Sequence, residues 1–130
     1  MEVFVMATKK VKLSNIETGE LLSWVATTQA CWEVGLKLYD SKNVYFNGKR
    51  SSCNVEPPLS QGSANYEGSE LTLEIDVPSS KGIKVILNTP TYMDDNGTVI
   101  GHGFICCGEA GSDGDYNDFY LSLVGWKRKG

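Results

Sequence analysis

Leu71-Thr72-Leu73-Glu74-Ile75-Asp76-Val77 carries an apolar side chain at every odd position and a polar one at every even position. Side chains on a β-strand point to alternate faces, so this stretch suits a strand with one dry and one wet face. Trp32-Glu33-Val34-Gly35-Leu36-Lys37-Leu38 repeats the pattern. Outward from these two stretches, helical periodicity is hard to find. Short runs rich in β-branched and aromatic residues recur instead, parted by Gly, Asn, Asp, Ser and Pro. Candidate strands are 3–7, 10–13, 21–27, 32–39, 44–46, 71–77, 84–88, 99–107 and 119–126. Asn47-Gly48 and Asn96-Gly97 read as tight turns, with Asp94-Asp95-Asn96-Gly97 a solvated hairpin tip. Residues 51–68, with Pro57-Pro58 and many Ser and Gly, read as a long loop. So many short strands point to a β-sandwich or barrel. The expectation taken forward is all-β: a single-domain antiparallel β-sandwich of about nine strands over residues 1–130.

Composition narrows the function. The chain has 130 residues and a formal charge of −4. Glu109, Asp113, Asp115 and Asp118 are four of the sixteen acids, and the other twelve balance the twelve Lys and Arg. The net charge therefore sits formally in one short loop. With no basic surplus, no nucleic-acid partner is expected. No apolar run approaches the ~20 residues of a membrane helix, so no membrane insertion is expected either. The start, Met1-Glu-Val-Phe-Val-Met-Ala-Thr-Lys-Lys10, lacks the basic-then-apolar order of a secretory signal. That leaves a cytoplasmic chain, one released by a non-standard route, or a mature form. Cys31, Cys53, Cys106 and Cys107 match no zinc spacing. A Cys31–Cys53 bridge is conceivable, but buried free thiols are the simpler expectation. Adjacent Cys106 and Cys107 should face opposite sides of a strand.

The loop Glu109-Ala-Gly-Ser-Asp113-Gly-Asp115-Tyr-Asn117-Asp118 carries the chemistry. Calcium takes about 6–8 oxygen ligands at roughly 2.3–2.6 Å. Asp113, Asp115 and Asn117 alternate, Asp118 follows, and Gly111 and Gly114 let the backbone curl around a centre. Carboxylates this close repel one another, and a cation removes that penalty. No nearby His or Cys offers the softer ligands zinc prefers. An EF-hand fails: counted from Asp113, Asp118 stands where Gly is needed and Val124 where Glu is needed. The bland alternatives are a solvated acidic turn, or a calcium that only staples the loop.

The stretch from Gly103 to Asp118 resembles the bacterial calcium-mediated lectins that bind fucose and mannose. That family carries Glu-Asp-Gly-x-Asp-x-Asp-Tyr-Asn-Asp after a Phe-containing apolar strand, then one more strand, a Trp and a terminal Gly. Here the order is the same, ending in Trp126 and Gly130. The resemblance implies a β-sandwich with two calcium ions per subunit. Glu109, Asp113, Asp115 and Asp118 would hold the first, and Asp115, Asn117 and Asp118 would reach the second. Sugar hydroxyls would complete both shells beside Asp113, Asp115 and Asp118. It further implies a backbone carbonyl ligand at Thr27 and a sugar-specificity loop at Thr28, Gln29 and Ala30. The carboxylate of Gly130 would reach a partner's site, making a homodimer or higher homo-oligomer the functional unit. Three departures stand out. Ala110 replaces an Asp that contacts sugar in the family, the tail Trp126-Lys-Arg-Lys-Gly130 is one residue longer, and Thr27 stands where the family supplies the carbonyl of an Asn.

The leading expectation is a calcium-dependent, glycan-binding lectin with no enzymatic activity. A calcium-dependent adhesion or membrane-binding sandwich is the alternative, though such sites usually draw acids from several loops. A glycoside hydrolase ranks lower, because acids this clustered cannot act independently. His102, the sole histidine, is expected to be structural. Trp24 and Trp32 lie in apolar strands and are expected in the core, although Trp24, Trp32 and Trp126 could each stack on a sugar. Asn96-Gly97-Thr98 fits a glycosylation acceptor, relevant only in a eukaryotic secretory setting.

Overall fold

The structure is a computed structural model that describes residues 7–111 and 114–128. Its ten strands and absence of helix among the described residues make it all-β. In chain order they are β1 (Ala7–Lys12), β2 (Leu21–Thr28), β3 (Ala30–Tyr39), β4 (Val44–Ser52) and β5 (Ser60–Asn65). There follow β6 (Thr72–Val77), β7 (Lys84–Asn88), β8 (Thr91–Met93), β9 (Val99–Glu109) and β10 (Phe119–Trp126). One antiparallel sheet runs β1-β6-β3-β4, and the other runs β5-β2-β10-β9-β7, with β8 also paired to β9.

The alternation read in the sequence is what joins the two sheets. Leu73, Ile75 and Val77 of β6 and Val34, Leu36 and Leu38 of β3 are all buried. In the other sheet the buried positions again skip one: Leu22, Trp24 and Ala26 on β2, and Phe119, Leu121 and Leu123 on β10. These residues form one continuous core. Each Val, Leu, Ile or Phe among them contributes about 1.5–3 kcal/mol on burial. Trp24 lies in that core and Trp32 packs partly buried against it, as the sequence suggests. Trp126 stays partly exposed and stacks on Tyr92. His102 sits 2.9 Å from the buried carboxylate of Glu20, a structural placement.

Several expectations need correction. Asn47-Gly48 is not a turn: it lies inside β4, opposite Lys37 and Leu36 of β3. The hairpin turns earlier, where Oδ1 of Asp40 accepts the backbone N–H of Lys42 and of Asn43, each at 2.7 Å. Cross-strand pairing along β3 overrides the local preference of Asn-Gly. Asn96-Gly97 does turn, with Gly97 at φ 78° and Asp94 Oδ1 accepting N–H from Asn96 and Thr98. The supposed loop 51–68 contains β5, whose residues show no apolar alternation because it is a polar edge strand on β2. The strand expected at 44–46 runs on to Ser52, and the one expected at 3–7 falls mostly outside the described residues. Cys31 and Cys53 form a disulfide, so the free-thiol reading holds only for buried Cys106 and half-buried Cys107.

Candidate functional site

β9 and β10 pair antiparallel with Gly108 opposite Phe119, so the acidic loop is the connection between neighbouring strands. A glycine is required at 108: a Cβ there would sit 1.7 Å from the Phe119 ring. The loop closes where Asp118 N–H donates to the Gly108 carbonyl at 3.0 Å. Inside it, the carboxylates organise the backbone. Asp118 Oδ2 accepts the Ala110 N–H at 2.7 Å. Glu109 accepts N–H from Gly114 at 3.0 Å and from Tyr116 at 3.3 Å. Gly114 and Tyr116 both have left-handed backbones, at φ 74° and 54°, which helps turn successive N–H groups inward.

This curl brings Glu109, Asp115 and Asp118 together, each offering one carboxylate oxygen within 4.8 Å of the others. Two oxygens bound to one calcium at about 2.4 Å can be at most ~4.8 Å apart, a limit that all three pairs meet. Glu109 and Asp118 are 2% and 3% exposed, while Asp115 is open to solvent. Burying two neighbouring carboxylates is costly, and a hard cation on an all-oxygen donor set offsets that cost. The residues present therefore fit such an ion.

Other residues named from the sequence fall as follows. Asn117 is exposed beside the cluster. Asp113 and Gly130 lie outside the described residues. Ala110 is buried, with its carbonyl accepting from Ser80 Oγ at 2.6 Å, so its side chain does not face solvent. Thr27, Thr28, Gln29 and Ala30 lie beside the acidic loop, because β2 pairs with β10 up to Thr28 opposite Phe119. Gln29 N–H donates to the Asp118 carbonyl at 2.9 Å and joins the two segments directly. Gln29 is exposed, whereas Thr27, Thr28 and Ala30 are buried.

Sequence reasoning missed Arg50. Its guanidinium donates to Thr28 Oγ1 (2.8 Å), Thr27 Oγ1 (2.9 Å) and the Thr28 carbonyl (2.8 Å). It also reaches the carbonyls of Asn54, Val55 and Pro57. Nothing in the run Lys49-Arg50-Ser51 marks it out, since its partners are distant in sequence or are backbone atoms.

No protein-family model matches the sequence, and no curated protein does. Solved structures do match. A high-affinity mannose-binding lectin of Ralstonia solanacearum superposes with a TM-score of 0.65 at 18% identity, over 84% of this chain and 90% of that one. The Chromobacterium violaceum lectin CV2L, solved with alpha-methyl-fucoside, gives 0.64 at 12% identity over the same shares. The C-terminal domain of the Burkholderia cenocepacia lectin BC2L-C gives 0.65 at 14% identity, over 92% of this chain and 97% of that domain. The chain has the fold of these bacterial lectins. At such identities the likeness is one of fold, so the site must be argued from its own residues.

Proposed function

We propose that the protein is a calcium-dependent lectin that binds fucose- or mannose-type sugars through two calcium ions. The observation that carries this reading is the convergence of Glu109, Asp115 and Asp118 within 4.8 Å on a lectin fold. Glu109, Asp115 and Asp118 would hold the ions, with Asp113 and Asn117 as further ligands. Bound calcium supplies open positions that adjacent ring hydroxyls can fill. Glu109 and Asp118, braced by loop N–H groups, keep the carboxylates in place before sugar arrives. Exposed Gln29, tied to the Asp118 carbonyl, stands at the rim where it can contact the sugar. Catalysis is not part of the proposal, because three acids sharing one spot do not flank a scissile bond with water between them. Gly130 would reach a partner's site only in a homodimer, which is part of the same proposal.

The test is a glycan array run with calcium and again with chelator. Fucose- or mannose-type signals should vanish on chelation, and Asp118→Asn should lose both calcium and sugar binding. Sugar binding that survives chelation overturns the metal-bridged reading. Calcium-dependent binding to anionic liposomes without any glycan signal would favour the adhesion module instead.

A further inference from the structure

Beside the acidic loop runs a groove of about 310 Å³ whose lining includes Val55, Tyr116 and Tyr120. Asn117 of the acidic loop and Gln29, just after β2, also line it. Among the described residues no charged side chain lines it, although it borders the most acidic stretch of the chain. Val55 is 45% exposed, yet it is held firmly in position. Arg50 captures the Asn54 and Val55 carbonyls with the same guanidinium that grips Thr27 and Thr28. Thr27 Oγ1 donates to the Val55 carbonyl at 2.6 Å, and the Cys31–Cys53 bridge ties the same two segments again. An exposed valine needs no such bracing to stay in solution. The bracing fixes one apolar wall at a set distance from the acidic loop.

From this we infer that the groove is a subsite for an uncharged apolar substituent, such as an aryl or alkyl aglycone, on the sugar held at the acidic loop. The inference rests on the carbohydrate-binding reading above. Charge narrows the class: an acidic substituent would face the neighbouring carboxylates, and Arg50 is already engaged by Thr27, Thr28 and backbone carbonyls, whereas an apolar substituent removes Val55, Tyr116 and Tyr120 from water. Size selects further. Pockets for drug-sized ligands span about 300–1,000 Å³, so this one suits a single ring or short chain.

The experiment titrates the full, calcium-loaded chain with methyl and 4-nitrophenyl glycosides of the same sugar, using fucose and mannose in turn. The 4-nitrophenyl glycoside should bind about five- to tenfold tighter, the gain from burying one ring face. Val55→Ser and Val55→Trp, one removing the wall and one filling the groove, should each cut that advantage to below about twofold. Both should leave methyl-glycoside and calcium binding unchanged. Equal affinities in the unaltered protein, or an advantage that survives both variants, overturns the subsite. So does an oligomer that dissociates in Val55→Trp by sedimentation, because the groove would then belong to a contact between copies. If neither glycoside binds with calcium present, the carbohydrate reading itself fails.

Discussion

Two kinds of buried acid occupy this molecule, and their surroundings give them different work. Asp40 accepts N–H from Lys42, Asn43 and Gly68 and the hydroxyl of Tyr45. Burial raises its carboxyl, but these donors together outweigh that and hold it below the usual carboxylate value. Tyr45 is pushed up to about 12, by burial first and then by Asp40, so it remains a donor throughout the neutral range. Asp40 therefore contributes stability above its unfolded value of about 3.9, and that stability is lost as pH falls through the lower folded value. Asp40→Asn should unfold about 1–3 kcal/mol more easily at pH 7, with the gap to the unaltered protein closing below about pH 4. Urea titrations at several pH values would check this. Glu109 and Asp118 are as buried, but they share their space with a third carboxylate. Their spacing was visible in the sequence because all the acids come from one loop. Asp40 was not visible as a buried acid, because its enclosure depends in part on Gly68 from a distant segment.

At the scale of elements, strands with one dry face were legible and those without were not. β6 and β10 follow the apolar alternation closely, and their bounds fall within a residue of the sequence reading. β5 is a polar strand at a sheet edge and leaves no apolar pattern to read. The β3–β4 hairpin misled in another way, since its turn is made by a side-chain carboxylate and not by Asn-Gly. The same hairpin is locked at its far end by Cys31–Cys53, which closes a sequence separation of 22 residues. Closing a loop of that length stabilises by about 3 kcal/mol in the chain-entropy account. The double variant Cys31→Ser, Cys53→Ser should lower the thermal midpoint by roughly 10 °C. Calorimetry checks this, and an unchanged midpoint would show that the bridge adds nothing beyond the strand pairing.

Over the whole molecule, the topology places β10 between β2 and β9, so the end of β2 meets the acidic loop although about 80 residues separate them in sequence. A calcium ion bound there would favour the folded state by mass action. At a hundredfold excess over its dissociation constant the gain is about 2.7 kcal/mol. Calcium should then raise the melting temperature by on the order of 10 °C, and chelator should reverse the shift. The Asp118→Asn variant should melt at the same temperature with or without calcium, a comparison that scanning fluorimetry makes directly.

The sequence by itself determined that the chain is built of strands, and that its surplus negative charge gathers in one loop able to curl. Both follow from local rules, the two-residue period of a strand and the repulsion of neighbouring carboxylates. Only the tertiary structure decided which segments face that loop: Gln29 at the rim, and Arg50 binding Val55 to Thr27 and Thr28. Those contacts join residues distant in sequence or pass through backbone carbonyls, which every residue carries. No local pattern can announce them.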